Sequence, residues 1–351
     1  MVFLCVFLPA VFCLHLLLPG MRAKNFLLVA ASLVFYAYGE PIYVILLVAS
    51  SVGNYILARL TGECPKIRKF TMTLAVVVNL GLLVIFKYSG FLVETFNSVT
   101  GAGIPVPQVR MPIGISFFTF QALSYVIDVY RGDASVQKNF GKVLLYISFF
   151  PQLIAGPIVK YHDVEAEINN RKQTPEEIGK GIRRFIAGLS KKVLIANTMG
   201  LVADNLFGAA ASGITGPGAW LGAVSYMLQI YFDFSGYSDM ALGLGMMFGF
   251  HFHENFNYPY ISASIREFWR RWHMSLSGWF KEYLYIPLGG SRRGKFRTVI
   301  NKMIVFLCTG IWHGASFNFL FWGIYHGFFL MLEEYIPFIG KKGGKLKSFF
   351  Q

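Results

Sequence analysis

The chain has 351 residues, 55% of them hydrophobic and 17% aromatic, with only 14% charged and a mean hydropathy of +0.51. A soluble domain carries about a quarter charged residues, so this balance excludes an ordinary water-soluble fold and points to lipid as the solvent. The formal charge of +14, from 32 Lys and Arg against 18 Asp and Glu, does not indicate nucleic acid, because the cations fall in short segments between apolar runs, where they set topology and meet anionic lipid.

A crossing of the hydrocarbon core takes about 20 mainly apolar residues. On that measure the sequence predicts spans near 2–18, 25–38, 42–59, 71–89, 113–130, 182–206, 219–250, 299–312 and 317–337. Gly39-Glu40-Pro41 joins the second and third as a tight hairpin. Basic residues crowd alternate connections: Arg22 and Lys24, then Arg59, Lys66, Arg68 and Lys69, then Arg131, Lys138 and Lys142. The alternation predicts an N-terminus outside, with 160–184 and 266–297 on the cytoplasmic side. Cys5, Cys13, Cys64 and Cys308 have neither metal-ligand spacing nor a disulfide framework and read as packing residues.

Two segments are not simple spans. YISFFPQLIAGPIVKYHD (146–163) carries Pro151, Gly156 and Pro157 inside an apolar run, which predicts a broken or re-entrant element surrounded by protein. In IREFWRRWHMSLSGWFKEYLYIPLGGSRRGKF (265–296), Trp and Tyr alternate with Arg and Lys, a mixture that belongs at the membrane–water interface. Between them, QIYFDFSGYSDMALGLG (229–245) sets Asp233 and Asp239 in an apolar span. Carboxylates there must hold a cationic or histidine partner or line a polar tunnel. Ser235 lies outside any GxSxG turn, which argues against a serine hydrolase.

The chemistry concentrates on histidines. His313 sits in FLCTGIWHGASFNFLFWGIYHG (306–327), where a helix can break at Gly314. It is either a core histidine bonded to a neighbouring carbonyl or a general base in an internal cavity. His326 follows thirteen residues later, about 20 Å away along a continuous helix, which keeps the two from sharing a metal and makes His326 structural. No other pair has convincing zinc spacing, and His251 with His253 reads as a loop. Arg266, Trp269, Arg270 and His273 recur at i, i+3, i+4 and i+7 on one helical face. That face fits either a solvated surface with snorkelling arginines or a site for a phosphate-bearing donor such as coenzyme A or a phosphopantetheine carrier.

Five stretches in this order resemble the membrane-bound O-acyltransferases: MPIGISFFTFQALSYVIDVYRG (111–132), FFPQLIAGPIVKYHD (149–163), YFDFSGYSDMALGLGMMFGF (231–250), FWRRWHMSLSGWFKEYLYIPLGG (268–290) and TGIWHGASFNFLFWGIYHG (309–327). Within the family the likeness is greatest to bacterial members that O-acetylate alginate, with teichoic-acid D-alanyl transfer members as cousins. It covers nearly the whole chain, which reads as one integral-membrane domain, 1–351, ending where relatives usually continue through further helices. The resemblance implies an all-α bundle around a transmembrane tunnel in the bacterial cytoplasmic membrane. It places the family's hallmark histidine on His313 and its second motif histidine on His273. It also implies an acyl thioester donor, acetyl-CoA or an acyl carrier protein, and a separate extracytoplasmic acyltransferase of the serine-esterase type within a polysaccharide-modification complex.

The expected reaction is acyl transfer from a thioester to a hydroxyl, with His313 as base and no bound cofactor or metal. His273, Asn318 or a backbone N–H freed near Gly314 is expected to meet the oxyanion. The rival readings are a transporter of an acyl or lipid-linked substrate and a structural scaffold.

Overall fold

The computed structural model describes residues 1–208 and 213–336. A π-turn at Phe3–Phe7 leads into α1 (Leu8–Leu17), α2 (Gly20–Gly39) and α3 (Tyr43–Glu63); α4 (Arg68–Leu83) runs through a π segment, Val84–Tyr88, into α5 (Ser89–Thr100). Then come α6 (Ile115–Arg131), α7 (Phe140–Ser148), α8 (Tyr161–Asn169), α9 (Pro175–Ser190), α10 (Asn197–Gly208) and α11 (Gly216–Met247). Two short helices, α12 (Ile265–Arg271) and α13 (Met274–Phe280), precede α14 (Lys295–His313) and α15 (Phe317–Tyr335). No strand occurs among the described residues.

Three helical runs are long and apolar enough to cross a membrane by length and composition: Tyr43–Glu63, Pro65–Thr100 and Pro175–Gly208. The other predicted spans are helical, but they are shorter or carry more polar residues. α6 shows why: it is sheathed by α3, α4, α7 and α8, and its Ser116, Thr119, Gln121 and Ser124 are buried with Phe118 and Tyr125. Polar side chains of that kind are costly against lipid but tolerable against protein.

The expected break in 146–163 is present. α7 stops at Ser148 and α8 starts at Tyr161. Between them, Phe149, Phe150, Leu153, Ile158 and Val159 are buried. The irregular backbone is stitched from outside the segment: the Phe150 N–H donates to Ser32 Oγ at 3.1 Å and the Ile158 N–H to Ser275 Oγ at 3.0 Å.

The predicted span 219–250 is an unbroken helix only as far as Met247, where α11 ends, and α9 lies along it in backbone contact. A Cβ on Gly243 would stand 2.6 Å from the Gly181 carbonyl oxygen, and one on Gly188 2.5 Å from that of Gly236. Only hydrogen at these positions lets the helices approach so closely. Gly243→Leu should therefore lower thermal stability in detergent by at least the about 1–3 kcal/mol typical of overpacking. Gly53→Leu, at a position with nothing within 4 Å of the added Cβ, should leave the melting temperature close to wild type.

Candidate functional site

The corner between α12 and α13 is built around one asparagine. His273 has φ +44°, a left-handed conformation that is costly for a residue with a Cβ and needs outside support. Asn255 supplies it. Its backbone carbonyl accepts the Met274 N–H at 2.9 Å, and its Oδ1 accepts the Ser275 N–H at 3.2 Å and Ser275 Oγ–H at 2.9 Å. The same Oδ1 lies 3.1 Å from His273 Nδ1, while Nδ2 donates to Ser238 Oγ at 3.0 Å. The backbone donor at Ser275 fixes which end of the amide is oxygen, so His273 Nδ1 carries the proton and Nε2 the lone pair. His273 is 2% exposed, and its Nε2 is buried with no hydrogen-bond partner among the described residues.

His313 reaches the same place from α14. It is that helix's last residue, because Gly314 is extended (φ −169°) and α15 restarts beyond Ser316. Two groups clamp the end of α14: Tyr88 Oη–H donates to the Ile311 carbonyl at 2.6 Å, and the Lys87 ammonium donates to the Trp312 carbonyl and, at 3.4 Å, to Ser116 Oγ. Both come from the π segment that interrupts α4 and α5. A cation at a helix C-terminus is electrostatically favourable, which gives an intramembrane lysine a structural reason to exist.

A cavity of about 260 Å³ joins the two histidines, lined among others by Arg266, Trp269, Arg270, His273, Thr309 and His313. Trp269 presents a buried indole N–H with no partner. Lys302 pairs with Glu334 at the rim, and the Arg266 N–H donates to Glu333 at 3.0 Å.

Five of the eight residues singled out from sequence thus share one cavity, and three do not. Asn318 is exposed on α15 and is absent from that lining. Asp233 pairs with Lys192. Asp239 binds Arg184 at 2.6 Å and Lys191 at 2.5 Å, locking α11 to α9 and the turn after it. These carboxylates hold cations, one of the two roles foreseen for them. His326 is nearer than a continuous helix would allow. The break at Gly314 turns α15 back along α14, and the rings of His313 and His326 both contact Trp322, with centroids at 4.9 and 4.7 Å.

On the other side of the corner lies a second cavity, of about 450 Å³, lined by Lys160, Asp163, His253, Ser275 and Gly278 among others. Next to it Asp128, 1% exposed, accepts from Tyr283 Oη–H at 2.6 Å and from His162 Nδ1 at 2.9 Å. His162 lies on α8, a polar helix outside the apolar spans. Hydrogen bonds to Asp128 and then Asp163 push its pKa up to about 10.

Asn255 and Lys87 escape a sequence reading. Asn255 lies in HENFNYPY, which looks like turn chemistry, and Lys87 is a lone cation in an apolar run. The signal for Lys87 was its rarity at membrane depth.

An apolar all-α bundle, with two imidazoles from separate elements on one cavity, defines a membrane protein with a candidate site among its helices. The chain belongs to the membrane-bound O-acyltransferase family, whose model matches residues 133–342, and it is an acyltransferase. It is 45% identical over 340 residues to a probable alginate O-acetylase of Pseudomonas putida, covering 95% of this chain and 70% of that protein. A peptidoglycan O-acetyltransferase of Helicobacter pylori is 38% identical, with 95% and 69% covered. A teichoic acid D-alanyltransferase of Bacillus subtilis is 28% identical, with 66% and 60% covered. The chain spans about two thirds of the length of these curated relatives.

The His162 pair gives a pH dependence with a definite sign. The folded value, about 10, is above that of an unfolded imidazole, about 6.5, so the stabilisation is complete below about pH 6.5 and is lost as pH rises through about 10. From about pH 7 to about pH 10, the melting temperature of the wild-type protein in detergent should fall further than that of His162→Gln, which has no such charge to lose.

Proposed function

We propose that the chain moves a short acyl group, acetyl in preference to D-alanyl, from a thioester to the hydroxyl of an extracellular or cell-wall polysaccharide. One observation carries the reading: His273 and His313, from different elements, face one cavity with a basic mouth. The greater identity to O-acetylating relatives than to the D-alanyl transferase favours acetyl.

In this mechanism His313 takes the proton of the attacking hydroxyl, the new C–O bond forms at the thioester carbonyl, and the C–S bond breaks. The imidazolium then returns its proton to the departing thiolate, so no net proton is consumed. The tautomer held by Asn255 makes His273 Nε2 an acceptor, suited to orienting a hydroxyl rather than to donating to an oxyanion. The free Trp269 N–H is a donor available for that charge. Arg266 and Arg270 stand exposed at the mouth, placed for the phosphates of coenzyme A or a carrier's phosphopantetheine.

The chain would sit in the bacterial cytoplasmic membrane as a multi-pass protein, N-terminus outside, and take its donor from the cytoplasm. Its partners would be an extracytoplasmic serine-esterase-type acyltransferase, the wider polysaccharide-modification complex and, for a carrier-borne donor, an acyl carrier protein.

Purified protein given acetyl-CoA and an acceptor should release free thiol, which a transporter would not. His313→Ala should cut transfer by about 10²–10⁴ while expression and membrane insertion persist. His326→Ala, in the same apolar stretch but outside the cavity lining, should cost far less, and His273→Ala should fall between. Transfer retained by a well-expressed His313→Ala protein would sink the mechanism.

The mouth arginines have their own test. Replacing Arg266 and Arg270 together with Gln should raise the donor KM and largely spare kcat, because phosphate contacts remote from the reacting atoms act alike in ground and transition states. Unchanged donor dependence in the folded double variant would make them surface cations only.

A further inference from the structure

A third cavity, remote from both histidines of the proposed site, has the chemistry of an anion site. It holds about 490 Å³ between the α1–α2 turn and the start of α9, and Lys24, Arg171, Gln173 and Pro175 line it with the apolar Leu16, Met21 and Ile178. Among the described residues, two cations and no carboxylate line this space.

Arg171 is the unusual member. It is 7% exposed, yet its guanidinium is held by neutral acceptors: the Phe248 carbonyl at 2.9 Å, Asn25 Oδ1 at 2.6 Å and the Glu167 carbonyl at 3.5 Å. It also lies over the Phe250 ring, 4.5 Å from the centroid. The Glu167 carboxylate attracts it at a distance, but both its oxygens are taken by His251, at 2.7 and 3.0 Å. Behind Arg171, His15 is fully buried. Its Nε2 lies 3.4 Å from Arg171 Nη2, which leaves the proton on Nδ1, and that donor has no partner. Lys24 has one weak contact, to Gln173 Oε1 at 3.4 Å.

Buried positive charge without a carboxylate bonded to it favours an anion from outside. The apolar wall suits one that brings a hydrocarbon tail. Arg22 and Lys24 flank the same turn, on the side where the charge pattern predicts the cytoplasm, and an anionic leaflet attracts such clusters. We propose that this pocket binds a phosphate-bearing anion, with Lys24 and Arg171 on the oxygens.

The test is thermal stability of the full chain in detergent, so it does not depend on acyl transfer. Dioleoylphosphatidylglycerol added to the micelles should raise the wild-type melting temperature by roughly 2–4 °C or more at saturation, and dioleoylphosphatidylcholine should do much less. Lys24→Glu should raise the half-saturating lipid concentration about tenfold or more, while Lys69→Glu, an exposed charge reversal elsewhere on the predicted inner face, should leave it unchanged. Lys24 is the residue to change because Arg171→Gln would also break buried hydrogen bonds and threaten folding. An equal shift from inorganic phosphate at matched ionic strength, also lost in Lys24→Glu, would support the site and identify its occupant as the free ion. No shift with either probe, or equal loss in the two lysine variants, would overturn the proposal.

Discussion

Backbone that leaves a helix at membrane depth must find its hydrogen bonds inside the protein, and this constraint organises the chain. Among the places where helical order fails, three bear on the site: residues 149–160, the corner at 272–273, and 314–316. Two of them share a serine. Ser275 Oγ accepts the Ile158 N–H at 3.0 Å and donates to Asn255 Oδ1 at 2.9 Å. The break after α7 and the strained His273 are therefore linked through two side chains. The third, at the end of α14, is repaired by Lys87 and Tyr88 from a segment that is itself π-helical. π-bulges recur where a helix must present a side chain out of its usual register.

The same constraint explains where the carboxylates go. Asp239 is 7% exposed, with two cations within 2.6 Å, and Asp128 is 1% exposed, with a phenol and an imidazole as donors. A buried carboxylate is tolerated when several donors share its charge. Each joins elements distant in sequence: α11 to α9, and α6 to α8 and the turn after α13. These two acids are fasteners, and the one at the rim of the cavity between the histidines, Glu334, is likewise paired, with Lys302.

Much of this was legible in the sequence because the signals are local. Length and hydropathy mark the helices. Pro151 and Pro157 mark the first break and Gly314 the last, and the i, i+3, i+4 spacing puts Arg266, Trp269 and Arg270 on one face of α12, whereas His273, expected on that face, lies past the helix end and joins them through the turn at 272–273. What the sequence hid is what depends on partners far along the chain. Asp233 and Asp239 looked able to line a tunnel because their lysine and arginine partners lie 41 to 55 residues away. Asn318 was plausible near Gly314 until α15 turned its face outward. Asn255 carries no local mark at all, since its value lies in meeting a corner 18 to 20 residues downstream.

The hydrogen bond from His273 to Asn255 also narrows the roles open to the two imidazoles. With Nδ1 committed to an acceptor, the neutral ring offers only a lone pair at Nε2, so His273 can receive a proton or a hydroxyl hydrogen bond but cannot stabilise negative oxygen without first becoming charged. Size adds a second restriction. About 260 Å³ is below the roughly 300–1,000 Å³ of pockets that enclose a whole drug-sized ligand. In the proposed reaction only the acyl end of a long thioester would enter, and its charged end would stay outside. The exposed guanidinium groups of Arg266 and Arg270 are at the mouth, where that charged end would lie, while the two histidines reach the same space from α14 and from the corner before α13. One cavity can then separate recognition from chemistry: the arginines read the part of the donor that does not react, and the imidazoles meet the part that does.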